Sequence, residues 1–83
     1  MEKIGFLAKP HGHHGLIKAV PLKGKEERFF SLERVYLSDG NGGSAWFRVD
    51  EVKPYTRGRF LLRVNGFKKR EEVEKFSKFF IAV

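Results

Sequence analysis

Residues 4–22, IGFLAKPHGHHGLIKAVPL, hold two short apolar runs separated by a loop rich in Gly and His. Ile4 to Ala8 predicts a first strand with Ile4, Phe6 and Ala8 on one face, because a strand sends alternate side chains to the same side. Pro10 fixes its own φ, and the glycines at 12 and 15 permit positive φ. Lys9 to Gly15 therefore reads as a loop or tight turn. Leu16 to Leu22 reads as a second strand.

The same grammar runs to the end of the chain. Lys23 to Arg28 is a charged loop that closes into a short helical turn over residues 28–32. Arg34 to Ser38 is a third strand, with Val35 and Leu37 alternating against Arg34 and Tyr36. Asp39-Gly40-Asn41-Gly42-Gly43 is a turn. Ala45 to Pro54 is a long strand whose alternation slips between Val49 and Val52, the mark of a bulge or bend. A turn at Arg57-Gly58-Arg59 leads to Phe60–Val64, with Phe60, Leu62 and Val64 inward and Leu61 and Arg63 outward. Only Lys69 to Lys78 reads as a helix, with Val73 and Phe76 on one face and charged residues on the other. No capping Ser, Thr, Asp or Asn follows Gly66, so this helix should be short. Phe79 to Val83 closes the chain as a last strand. The sum is an all-β fold: a six-stranded antiparallel barrel, with one short helix before the last strand. Closure removes the free sheet edges that invite aggregation.

Eighty-three residues make one domain, 1–83. A body this small has a thin core, which argues against a deep water-excluded pocket and for action through the surface. The absence of Cys leaves neither a disulfide framework nor a thiolate metal site. The start, Met1-Glu2-Lys3-Ile4-Gly5, has no apolar signal-peptide core. No apolar run approaches the roughly 20 residues that span a bilayer. The expectation is a cytoplasmic monomer without a membrane partner. Seventeen Lys and Arg stand against ten Asp and Glu, a formal net charge of +7. That potential attracts polyanions, so nucleic acid or a ribonucleoprotein is favoured over a surface tuned only for solubility or heat tolerance.

At the first loop the sequence becomes more specific. Gly5, then His11-Gly12 six residues on, then Gly15 and the run Leu16 to Val20, resemble the opening of the RimM family of ribosome maturation factors. The likeness continues through Glu27-Arg28-Phe29 to Leu32, Arg34-Val35-Tyr36-Leu37, Val49 to Lys53 and Gly58 to Val64. Gly66 and Arg70-Glu71 then match the family's Gly-x-x-x-Arg-Glu segment before the final strand. The resemblance implies a barrel of the translation-factor type, the N-terminal domain of the family, followed by a second, PRC-barrel domain beyond Val83. It also implies an assembly chaperone for the head of the small (30S) ribosomal subunit that aids 16S rRNA processing. Its implied partners are the small-subunit head protein numbered nineteen and nearby 16S rRNA. Where the family carries an apolar residue and then Lys or Arg between the two loop glycines, this chain has His13 and His14. Leu16 replaces a frequent acidic residue.

The candidate partner-binding residues are Lys9, His11, Gly12, His13, His14, Lys18, Tyr55, Arg57 and Arg59. Lys and Arg in loops and on outward strand faces contact phosphates, Arg through two parallel hydrogen bonds. Tyr55 either stacks on an unpaired base or is a partly buried barrel aromatic. His11 is best placed to pack beside the turn and shape the loop, with His13 and His14 exposed. Three histidines on one loop invite a metal, yet no fourth donor stands at a useful spacing. The Asp39–Gly43 turn lacks the ligand spacing and flanking helices of a calcium loop. Ser31, Ser38, Ser44 and Ser77 have no His–Asp pattern around them, and Glu71, Glu72 and Glu74 read as a solvated helix face. No cofactor, metal or catalytic residue is therefore assigned. A free-standing RNA-binding barrel, with no ribosomal protein partner, is the second reading. Lys68-Lys69-Arg70 sits at a helix start that prefers negative charge, which suggests an anionic partner outside the fold.

Overall fold

The computed structural model describes residues 1–83. Six strands run β1 (Lys3–His11), β2 (Leu16–Pro21), β3 (Arg34–Ser38), β4 (Ser44–Pro54), β5 (Phe60–Val64) and β6 (Phe80–Ala82). All pairings are antiparallel, and the order β1-β2-β5-β4-β3-β6 closes on itself as a barrel. A 3-10 turn (Glu26–Ser31) joins β2 to β3, another (Thr56–Gly58) joins β4 to β5, and one short helix, α1 (Arg70–Glu74), precedes β6. The expected barrel is the observed one. No helix is long and apolar enough to cross a membrane.

The differences lie where strands bulge. β1 does not stop at Ala8 but runs through Pro10 to His11, because Ala8 and Lys9 together oppose the single residue Lys18. Pro10 is tolerated beside this bulge, where a donor is not required for regular pairing. A second irregularity lies between Lys3 and Gly5 against β6, and Ile4 is the extra residue. Ile4 and Leu7, not the expected Ile4, Phe6 and Ala8, are therefore the fully buried side chains of β1. The slip read in β4 is a shift between Val49 and Glu51.

Leu61, expected outward, is buried, yet it stands apart from the cluster of core side chains. Its cross-strand partners on the outer surface are Lys18 and Lys53. Lysines so placed can lay their aliphatic stems over a neighbour while keeping the ammonium in water. The helix, expected to reach Lys78, is only five residues. Its start lacks a capping side chain, and Glu72 instead accepts the backbone N–H of Lys69 at 3.3 Å.

The core is filled from both ends of the barrel. At one end Phe29, fully buried, stacks on Phe60 with ring centroids 5.0 Å apart. A Cβ on Gly5 would lie 3.0 Å from the Phe29 ring and 2.5 Å from the Val20 carbonyl oxygen. Glycine there lets the strand and the ring approach. At the other end Phe67 and Phe76 meet at 4.6 Å, each also packing edgewise on Phe47. Each buried Phe contributes roughly 1.5–3 kcal/mol of transfer free energy, which is how so short a chain holds a core without cross-links. The barrel is sealed where β6 meets β1. There Glu2 and Val83 exchange backbone N–H···O bonds of 2.7 and 2.8 Å.

Candidate nucleic-acid interface

The loop after β1 is positioned by residues far along the chain. Gly12 and Gly15 both have left-handed φ, +71° and +84°. Gly15 is buried, and a Cβ there would fall well inside contact distance of the Phe67 carbonyl oxygen. Two guanidinium groups hold the carbonyls between. Arg63 donates from its Nη1 to the His14 oxygen at 2.8 Å, and Arg70 donates from its Nη1 to the Gly12 oxygen at 3.0 Å. Each bond satisfies a turn carbonyl with a charged donor, the stronger class of hydrogen bond. Arg63 also lies 3.7 Å from Glu51.

These contacts revise two readings. Arg70, taken as misplaced charge seeking an outside anion, is already engaged with the loop. Arg63, taken as an outward cation available to phosphates, holds His14 in place. Neither role was visible in the local sequence. The only hint was the family-like Gly-x-x-x-Arg-Glu spacing around Gly66 and Arg70.

The nine candidate residues divide into groups. His11, Lys18 and Tyr55 come together on the outer wall built by β1, β2, β5 and β4. The His11 and Tyr55 rings meet edge to face with centroids 5.2 Å apart, and the Lys18 ammonium lies 5.8 Å from the Tyr55 ring centre. All three are half-buried. His11 thus packs as a shaping residue, and Tyr55 is a partly buried barrel aromatic with one side at the surface. Arg57 and Arg59 follow Tyr55 at the exposed β4–β5 tip, closed by Tyr55 N–H to the Arg59 oxygen at 2.7 Å. Arg57 sits at φ 59°, an unusual setting for a residue with a side chain. Gly12, His13 and His14 are exposed on the clamped loop, and Lys9 is exposed at the β1 bulge. No three His, Cys, Asp or Glu side chains gather as a metal site would require.

The electrostatics sort the cations into paired and free. Lys25, Arg28, Arg48, Lys53 and Arg63 each have a carboxylate within 4 Å. Lys9, Lys18, Arg57 and Arg59 have none, so their charge is available to an outside anion. The one clearly perturbed carboxyl is Glu2, held below its ordinary value chiefly by a hydrogen bond from Lys25 at 2.6 Å. Desolvation opposes that effect, and the charges of Arg28 and Lys25 reinforce it.

A small closed antiparallel barrel with unpaired cations on its outer surface is the class defined so far. The chain belongs to the RimM N-terminal domain family, whose model it matches over residues 3–83. It is 30% identical over 80 residues to the ribosome maturation factor RimM of Caldanaerobacter subterraneus subsp. tengcongensis, covering 96% of this chain and 48% of that protein. It is 33% identical over 70 residues to the factor of the same name from Geobacter metallireducens, covering 84% of this chain and 40% of that protein. The fold matches the crystal structure of a 16S ribosomal RNA processing protein RimM from Pseudomonas aeruginosa, with a TM-score of 0.83 and 17% identity. That match covers 98% of this chain and 48% of the other. The chain spans about half the length of the curated relatives it matches.

Proposed function

We propose that this barrel is a module of a ribosome maturation factor that assists assembly of the small ribosomal subunit in the cytoplasm. It binds rather than catalyses. The family match from residue 3 to 83 carries this reading, and the free cations of the outer wall supply a physical means of engaging rRNA. The module docks in the head region of the assembling 30S particle. It contacts the head protein numbered nineteen and nearby 16S rRNA, and so aids 16S rRNA processing. Lys9, Lys18, Arg57 and Arg59 contact phosphates there, and the clamped Gly12-His13-His14 loop presents a fixed backbone beside them.

Sedimentation with immature small subunits tests this. The protein is expected to travel with the particle at low salt and to leave it steeply as salt rises, because phosphate neutralisation releases counterions. Replacing Arg57 and Arg59 together by Ala should flatten that salt dependence by about two phosphate contacts. Protein that stays at the top of the gradient at low salt would rule the reading out.

A further inference from the structure

The opposite side of the barrel carries a surface that the proposed docking wall does not use. Strand pairing turns Tyr36 toward Trp46 across β3 and β4, Arg34 toward Arg48 one pair further along, and Ser38 toward Phe80 across β3 and β6. Val35 and Leu37 point into the core, so Arg34, Tyr36 and Ser38 point out. Trp46 is 46% exposed and Phe80 is 39% exposed. Each ring has a cation beside it: Arg34 lies 4.8 Å from the Trp46 ring centre, and Lys3 lies 4.0 Å from that of Phe80. Tyr36 packs edge to face on Trp46 at 5.3 Å, with its hydroxyl hydrogen-bonded to Ser44.

We propose that this outer face of β3, β4 and β6 is a stacking platform for single-stranded RNA. The bases would lie on Trp46, Tyr36 and Phe80, and the phosphates would bond to Lys3 and Arg34. The identity of the RNA as ribosomal rests on the function proposed above; the chemistry of the platform does not. Aromatics displayed on adjacent strands with cations between them suit unpaired bases, since every base offers a π face and every nucleotide a phosphate. A surface shaped only for solubility avoids exposed Trp and Phe. None of the outward positions that these strand pairs present is acidic. Asp50 is paired with Arg48 at 3.2 Å, and Asp39 accepts the amides of its own turn. A basic protein partner would meet like charge here, whereas a polyanion meets charge of opposite sign. Arg34 and Lys3 lie over the Trp46 and Phe80 rings, so each would swing from its ring to a phosphate as a base takes its place.

Trp46 is the only tryptophan, which makes its fluorescence a direct reporter. Titration with a ten-nucleotide oligouridylate should quench it, and a duplex of the same length should bind at least tenfold more weakly. With end-labelled oligonucleotide and anisotropy as the readout, Trp46→Ala should weaken binding about tenfold. Trp46→Phe should recover part of that loss. Phe80→Ala, at a second exposed site, should weaken binding several-fold. Equal affinity for the duplex overturns the proposal, as does unaltered binding by both Trp46→Ala and Phe80→Ala. Concentration-dependent quenching without RNA, the sign of a second copy on this face, overturns it too. So does quenching by a basic ribosomal protein but not by RNA. Co-sedimentation with small subunits separates the two proposals. If it persists when oligouridylate does not bind, only the platform fails; if it is lost while oligouridylate binds normally, only the docking function fails.

Discussion

Two connections of this barrel are closed by opposite means. The turn from β3 to β4 holds itself: Asp39 accepts the amides of Asn41 at 2.7 Å and Gly43 at 3.0 Å, and the Asp39 amide bonds back to the Gly43 oxygen at 2.9 Å. The loop from β1 to β2 is held from outside, by Arg63 on His14, by Arg70 on Gly12 and by the Phe67 backbone against Gly15. A turn closed by its own side chain forms early and tolerates changes elsewhere. A loop closed by residues some fifty positions away takes its shape only when the barrel is complete, so it reports on the whole fold.

The sharpest way to break this contrast is Gly15→Ala. The new Cβ would strike the Phe67 backbone and sit at an unfavourable φ, so a loss of about 2–4 kcal/mol is expected in denaturant unfolding. An unchanged midpoint would mean that the loop is not seated against Phe67. Arg70→Ala should cost about 1 kcal/mol, the net value of one hydrogen bond at a partly exposed site. Amide exchange should quicken at Gly12 to Gly15 and stay as it was at Asn41 to Gly43. Asp39→Ala should give the mirror image: a loss of about 0.5–1 kcal/mol, with faster exchange confined to the β3–β4 turn. If exchange in the β1–β2 loop rises as well, the two connections are coupled and the contrast fails.

The smallest expected effect concerns acid. Glu2 holds Lys25 and Arg28 in the connection from β2 to β3, and its carboxyl titrates below its ordinary value in the folded state. A carboxyl whose folded pKa is depressed stabilises the fold above its unfolded value and loses that contribution as pH falls through the folded value. Thermal midpoints should therefore decline in acid below about pH 4, the usual carboxylate range, and Glu2→Gln should lessen the decline. The Arg63 and Arg70 bonds accept no proton in this range. Exchange in the β1–β2 loop should thus respond less to acid than exchange around Lys25. The reverse order would count against the Glu2 contact.

Much of this was legible in the sequence, for physical reasons. Alternation at Val35 and Leu37, and at Phe60, Leu62 and Val64, gave strands whose inward residues are the core. The Gly and Asn density at residues 40–43 marked a turn that needs only itself. The bulges at Ile4 and at Ala8-Lys9 were not legible, because an extra residue shows only when the partner strand is known. They alone account for the misread face of β1. At the candidate interface, residue types and loop positions were visible, but the partners of Arg63 and Arg70 were not. A guanidinium can reach phosphate, carboxylate or carbonyl, and only the closed barrel brings those two to the loop. Tyr36 and Trp46 went unmarked because their strands were read for what they bury.

The seam between β1 and β6 also fixes when the molecule can become itself. β1 finds one of its two neighbours only after β6, far later in the chain, has left the ribosome, since Lys3 pairs with Ala82 and Phe6 with Phe80. Until that moment one border of the sheet stands open, with unpaired amides that any passing extended chain can join. A topology dominated by such distant pairings condenses over milliseconds to seconds rather than microseconds. Lys3, exposed on that waiting border, is the kind of charge that keeps an unfinished edge from taking the wrong neighbour.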